Sequence, residues 1–527
     1  MNACLTGIYL NDQGNDWLDT VSTVLGQHGH IVATQPSQAT VWRPDKLGQL
    51  TPSISYTEGC QIRSIWVGGH RRAIGLLPVR LYFDTTGTPI QERESVILGG
   101  MERPRTEVKQ SIQWIQSLIS TLLESSEKLM DRHIRLESVE TELEAGVSIS
   151  ANGKGYAVGT KLRSIFGKVG YDAVPKDMSI VIVPEDGVAS AVATDFVDRV
   201  KTSCDQHKLT TKVYMVSADK LRRRLDDLQS GSSVQSTSAP VWFLLRAKNM
   251  SPSDDVVHSM EQLDRLGLRW RRAFADDEFQ WSISDQLGSI VQAAGGRTYS
   301  IQFESGRLPW SIGLDVSHGG GTRPYSTVCA ALVDPTGNLV HAWKTEQPRN
   351  EAISAVAVRK LLLAATEYAR AESKDAEILV LRDGRLFDRE NADFYRDRLG
   401  TRVSLVEVRK RQNPLFLDEK LGASPVSASF GIIPSTNQDT NVGFLITWPN
   451  SENKGFDTPL KIHWRDQWDG LSIGPKILPT ILVALTAAPG LGLHSRTLPA
   501  PVYWADGLAA ASSDKLKFRG QPVTQIS

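Results

Sequence analysis

An aspartate in the middle of an apolar strand constrains this chain more than any other single feature. Ser311–Ser317 reads SIGLDVS, with Asp315 between Leu314 and Val316. Carboxylates are depleted from strand interiors, and a charge buried there costs stability unless a charged partner meets it. Tyr325–Val333 and Leu339–Lys344 are two further β-rich runs, set apart by turns bearing Gly, Pro and Asn, so the three predict an antiparallel meander. Glu351–Ala371 then carries Ile353, Val356, Val358, Leu361, Leu362, Ala365 and Tyr368 at a period of about 3.6, which predicts a helix packed on one face. Another buried strand, Glu377–Leu381, leads to Asp383.

Three antiparallel strands, a helix, and a crossover strand parallel to the first give the order of an RNase H-like core. In that order Asp315 and Asp383 stand on adjacent strands, and a divalent ion, Mg²⁺ or Mn²⁺, is the partner such a pair would share. Two ions held this way position the attacking water and the leaving oxygen of a phosphodiester. Taken singly, Asp315 reads equally well as a loop cap and Asp383 as part of an ordinary RDG turn. The pair at this spacing is what points to a site.

The chain has 527 residues, enough for about three or four domains. Apolar content of 40% and charged content of 22% belong to an ordinary soluble globular protein. Lys plus Arg equals Asp plus Glu at 59 each. This counts against a uniformly basic nucleic-acid binder but leaves room for a local basic channel. Cys4, Cys60, Cys204 and Cys329 lack paired spacing, which argues against a disulfide framework and a zinc site. The apolar run Ile477–Leu493 is broken by Pro479 and Pro489 and is too short to span a bilayer. The first residues show no basic segment followed by an apolar one, so a cytoplasmic protein without membrane association is expected.

The predicted architecture is α/β in four parts. Residues 1–105 read as a β-rich lobe in which Ala73–Phe83 is the strongest strand, with Pro78 confining it to an edge. Residues 106–177 read as a linker layer with one helix, its face formed by Ile112, Ile115, Leu118, Ile119, Leu122 and Leu123, and an Asn152-Gly153 turn. Strands alternate with helices over 178–300, predicting a parallel Rossmann-like sheet, but no GxGxxG turn follows its first strand. There Arg269, Arg271 and Arg272 gather around Trp270 just past a helix; the group suits phosphate contact and base stacking, or is a solvated helix end. Residues 301–527 hold the RNase H-like part. Within it Arg402–Val408 runs into Arg409-Lys410-Arg411, a triplet suited to a phosphate backbone or simply a solvated strand end, and Ser424–Thr440 reads as turns.

Several separate motifs over about 301–527 resemble the PIWI module of Argonaute proteins. GLDVS is similar to the first catalytic strand, with Asp315; RNEAI to the segment carrying the glutamate finger, with Glu351; LVLRDG to the strand ending in Asp383. VEVRKRQNPLF resembles the strand leading into the basic contacts with guide and target, and ENKGFDTPLKIHW the stretch after the next hairpin. LPAPVYWADGLA resembles the last motif, placing Asp506 at the fourth catalytic position. The resemblance implies an Asp-Glu-Asp-Asp tetrad holding two Mg²⁺ or Mn²⁺ ions through Asp315, Asp383 and Asp506. Glu346 is a second candidate for the finger, and a Glu at a helix start also answers the helix dipole.

By the same resemblance, 178–300 falls where the family has its MID domain, which pins the 5′ end of a guide. The sequence departs from the usual phosphate-binding set: Arg271 stands near the Gln position, and Ser289 and Ala293 stand where lysines are expected. The part before it is too short for a full N-terminal, linker and PAZ set, so a compact prokaryotic form lacking PAZ is expected. The resemblance implies a short DNA or RNA guide, a complementary DNA or RNA target, target hydrolysis, and a role in defence against foreign nucleic acid. The competing expectations are a guided binding module that activates a separate effector protein, and an RNase H-like nuclease that needs no guide.

Overall fold

The computed structural model describes residues 5–87, 114–122, 133–139, 147–176, 178–229, 240–246, 254–274, 283–303, 308–387, 390, 395, 403–410, 429–433, 441–446, 460–464, 477–488, 498–509, 517–518 and 521–526, apart from short breaks within these spans. Two compact units divide the chain: residues 1–141 with 407–467, and residues 142–406 with 468–527.

In the first unit the longest hairpin sets Ile54–Gly68 against Arg71–Phe83. The strand Leu5–Leu10 joins its second arm through Arg72, Ala73 and Ile74. Pro78 lies beyond that pairing, where the second arm has only the first arm beside it, at Cys60. Ala39 and Val41 alternate inward from the strand Gln38–Trp42 and meet Leu18, Val21 and Leu25 of the helix Asp16–Gln27. Trp114, Leu118 and Leu122 join the same core, while Ile112, Ile115, Ile119 and Leu123 of the expected helix face lie outside the described residues. Ser429–Ile433 pairs with both Asn441–Ile446 and His133–Val139. It falls inside a stretch that read as turns, because SFGII is short and broken by Gly431, and its strand character comes from neighbours distant in sequence.

The second unit contains a four-stranded parallel sheet of β1 (Ser179–Pro184), β2 (Lys212–Met215), β3 (Pro240–Arg246) and β4 (Arg269–Phe274), in the order β2-β1-β3-β4. The helices α1 (Ser190–Gln206), α2 (Ala218–Gln229) and α3 (Asp254–Arg265) alternate with these strands along the chain. An unbroken apolar run such as SIVIVP fits a strand covered on both faces, and this is the Rossmann-like arrangement expected. A hairpin, Val147–Ala151 against Lys154–Ala157, turns at Asn152 and Gly153 with φ of 46° and 75°. Asn-Gly supplies that left-handed pair at little steric cost.

The RNase H-like part opens with β5 (Trp310–Ser317), β6 (Tyr325–Val333) and β7 (Leu339–Pro348), antiparallel throughout. Helix α4 (Ala355–Glu372) starts at Ser354, whose side chain accepts from the Ala357 N–H as an N-cap. Then β8 (Ile378–Asp383) lies parallel to β5, from Trp310↔Ile378 to Leu314↔Arg382. Strand alternation divides this sheet into two faces of different chemistry. One carries Ile312, Leu314, Ala330, Leu332, Trp343 and Val380 into a core with Val358, Leu361, Leu362 and Ala365 of α4. Each such buried aliphatic side chain contributes about 1.5–3 kcal/mol, so this face joins sheet and helix. The other carries Gly313, Asp315, Cys329, Ala331, Ala342 and Lys344, and the helix Ala500–Ala509 lies across it.

The remaining elements of this part are β9 (Val403–Arg409), α5 (Leu478–Ala487), α6 (Ala500–Ala509) and β10 (Gln521–Gln525), the last parallel to β7. Among the described residues no helix is long and apolar enough to cross a membrane.

Candidate active site

Asp315 takes its place from strand alternation. Leu314 turns into the α4 core at 0% exposure, so Asp315 turns to the α6 face. Because Leu314 is level with Arg382 on β8, the next residue along each strand brings Asp315 beside Asp383. Helix α6 delivers the third carboxylate. It crosses β5 at Gly313, where a side chain would collide with the Pro501 carbonyl, and Asp506 follows in the same helix.

One carboxylate oxygen from each of Asp315, Asp383 and Asp506 lies within 4.8 Å of the others. Asp383 is buried at 8% exposure, Asp315 is partly buried, and Asp506 is the most open. Two like charges at such a distance repel by about 3 kcal/mol at an effective dielectric constant of 20, so three ionised carboxylates call for a cation. A donor set of carboxylate oxygens alone suits a hard divalent ion, Mg²⁺ or Mn²⁺, better than zinc or copper. The three aspartates could therefore hold a metal ion.

Glu351 stands outside this group. Its side chain is 66% exposed and takes a 2.7 Å contact from His318 Nε2. Ser326 Oγ accepts from the Asn350 N–H at 3.1 Å and is hydrogen-bonded to His318 Nδ1 at 2.7 Å. His318 is thereby held between Ser326 and Glu351. The backbone of the loop is held as firmly. Arg382 Nη2 donates to the Glu351 carbonyl at 2.9 Å, the Ile353 N–H donates to Glu390 Oε1 at 2.7 Å, and Gln347 Nε2 donates to the Ala352 carbonyl at 2.9 Å. Glu346, the other candidate for the finger, is exposed on β7.

Under that loop lies a buried ionic group. Arg382 Nε reaches Glu390 Oε2 at 3.2 Å, and the Tyr395 hydroxyl donates to the same oxygen at 2.7 Å. Arg382, Glu390 and Tyr395 are 2%, 0% and 0% exposed. Burial pulls the Arg382 guanidinium down, but Glu390 and then Tyr395 outweigh it and hold the group above its usual value. Burial, followed by Glu390, pushes the Tyr395 hydroxyl up.

The basic residues expected to contact nucleic acid are distributed as follows. Arg269, Arg271 and Arg272 all belong to β4, level with Val241, Phe243 and Leu244 of β3. Trp270 between them is partly buried and packs against the cluster of Val181, Val183, Trp242 and Leu244. Arg409 donates from Nε to Glu407 Oε2 at 2.8 Å, and Lys410 is partly buried. Arg411, Ser289 and Ala293 lie outside the described residues.

Beside Arg409, the strand Leu460–Trp464 presents Lys461 and His463. Burial, then the charge of Arg409, lowers Lys461 to about 8 and His463 to about 2. The alternation of LKIHW was the signal that these two share a face. His318 and Arg382 were also missed as supports of Glu351, since nothing local in sequence ties them to it.

No family model and no curated protein matches the sequence. Solved structures do match. Kluyveromyces polysporus Argonaute with a guide RNA is similar over 93% of this chain and 77% of its own, with TM-score 0.64 and 13% identity. Clostridium butyricum Argonaute bound to a guide DNA and a 19-mer target DNA matches over 94% and 85%, with TM-score 0.66 and 11% identity. Marinitoga piezophila Argonaute in complex with 5′-OH guide RNA and target DNA matches over 94% and 84%, with TM-score 0.63 and 10% identity. At such identities the likeness is one of architecture: this chain has an Argonaute-like fold.

Proposed function

We propose that this chain is a guide-directed endonuclease that hydrolyses a complementary DNA or RNA target, in defence against foreign nucleic acid. The observation that carries the reading is the convergence of Asp315, Asp383 and Asp506 from two strands and a helix to within 4.8 Å. Structural carboxylates have no reason to gather at that cost, whereas a phosphodiester hydrolase needs them so. Asp315, Asp383 and Asp506 would hold the ions, which when bound supply the charge stabilisation for hydrolysis. Glu351, its carboxylate held by His318 and its carbonyl by Arg382, would swing in from outside the aspartate group as the fourth catalytic residue. Residues 178–300, with Arg269, Arg271 and Arg272, are assigned to the guide end, residues 301–527 to cleavage, and Arg409, Lys410 and Arg411 to the strand backbone. The bound guide and target strands of the matching Argonautes support a nucleic-acid duplex as the occupant.

The test is cleavage of a labelled target by purified protein with a short complementary guide and Mn²⁺. A product at a fixed distance from the guide end is expected, and Asp315→Ala or Asp383→Ala should remove it while leaving duplex binding intact. Cleavage by both variants at the wild-type rate would end the reading. Sequencing the nucleic acid that co-purifies identifies the guide. A second reading, a guided binding module that activates an effector protein without cutting, is favoured by one observation: the Glu351 carboxylate faces His318 and stands apart from the three aspartates. Tight guide and target binding with no product in Mg²⁺ or Mn²⁺ would select it.

A further inference from the structure

A row of three side chains crosses the site-bearing face of the sheet. Asp315 on β5 is level with Cys329 on β6, and Cys329 is level with Lys344 on β7. Directly paired residues in an antiparallel sheet point to the same side, so the lysine shares the α6 face with the carboxylates. Lys344 is only 4% exposed, and its ammonium nitrogen is out of contact with solvent. A lysine is almost never buried this far without a compensating negative charge. The carboxylates on that face are the Asp315, Asp383 and Asp506 group, together with Glu346, which lies two residues along β7 and is exposed.

We propose that Lys344 is the resident counter-cation of the carboxylate cluster, offsetting the charge of Asp315 and its neighbours when no ion is bound and competing with divalent ions for them. The Cys329 thiol between them reports both charges. Burial pushes it up, Asp315 pushes it further, and Lys344 opposes them. Arg382 also senses Asp315, but its guanidinium is already engaged by Glu390. Lys344 is thus a positioning residue with an electrostatic cost: it keeps three carboxylates together in the absence of metal, and it weakens the first ion to arrive. The competition rests on the ion-site reading above; the charge compensation does not.

The experiment is thermal unfolding of the full chain and of Lys344→Met, in EDTA and across a Mn²⁺ titration. In EDTA the variant should melt several degrees lower, on the order of 5 °C. Saturating Mn²⁺ should close most of that gap, and the midpoint of the titration should fall about tenfold, because a like charge has left the site. A structural lysine would lower both melting temperatures equally and leave the midpoint unmoved, which overturns the proposal. Asp315→Asn and the Asp315→Asn/Lys344→Met pair, melted in EDTA, give a readout that needs no ion. Coupling is expected, with the double variant more stable than the sum of the single losses, and an additive sum overturns the proposal. If Lys344→Met does not fold, a folded double variant upholds it and an unfolded one overturns it. Wild-type protein unmoved by Mn²⁺ but showing this coupling would remove the ion-site reading and leave the compensation standing.

Discussion

Gly313 and Pro501 approach so closely that no side chain fits between them. A Cβ built on Gly313 would lie 1.9 Å from the Pro501 carbonyl oxygen and 2.2 Å from its carbonyl carbon. Both obstacles are backbone, so nothing can swing aside. The contact sets how near α6 comes to β5, and thereby whether Asp506 reaches Asp315. Gly313→Ala is expected to cost about 3 kcal/mol or more, because the helix must move bodily. Of the protein that does fold, cleavage should fall further than guide binding. A calorimetric melt checks the first outcome and the labelled-target assay the second.

Glu390 is the only carboxylate placed on Arg382 by a direct contact among the described residues, and both are buried. Glu390→Gln leaves a guanidinium without its counter-charge and should destabilise the protein by about 3–5 kcal/mol. Tyr395→Phe removes only the 2.7 Å hydroxyl bond and should cost about 1–2 kcal/mol. Urea unfolding of the two variants checks the order, and a larger loss for Tyr395→Phe would contradict it.

Much of this was legible in the sequence where a pattern is local. The meander, the α4 period and the unbroken apolar run SIVIVP each carry their own signal, and Asp315 stood out because an acid inside an apolar strand is costly. Asp506 was reached only through resemblance, since no periodicity links a helix near the C-terminus to β5. The supports of Glu351 were invisible for the same reason: His318, Ser326, Arg382 and Glu390 come together through pairing across strands. The Arg269-Trp270-Arg271-Arg272 group shows the opposite failure. Its composition suggested a helix end, while pairing places all four residues on a strand, with Trp270 partly buried against the cluster of Val181 and Trp242.

His318 holds Glu351 through a single bond of 2.7 Å, with the ring oriented by Ser326. His318→Ala should slow cleavage by about 10–100-fold, the usual range for a residue that orients an active-site ligand. Guide and target affinity should remain unchanged. Ser326→Ala, which removes the 2.7 Å hydrogen bond that orients the ring, should show a smaller loss in the same direction. Single-turnover kinetics with pre-bound target separates the two effects, and a loss confined to binding would contradict the assignment.

His463 makes the first unit sensitive to acid. Burial, then the charges of Arg409 and Lys461, lowers its folded-state value to about 2, and its Nε2 has no hydrogen-bond partner among the described residues. An unfolded histidine takes up its proton near pH 6.5, so between there and about 2 the unfolded chain binds one proton more than the folded one. Stability from this residue is fully present above that range and is lost as pH falls through it, at no more than about 1.4 kcal/mol per pH unit. Lys461, lowered to about 8, acts at the other end: stability rises with pH from there toward the ordinary lysine range. Glu407 opposes the shift of Lys461, and no carboxylate is among the causes acting on His463, which is why the histidine is displaced further. His463→Leu should therefore flatten the dependence of urea midpoint on pH between 6.5 and 4 while leaving the alkaline limb in place. A variant that keeps the full acid slope would show that some other group carries it.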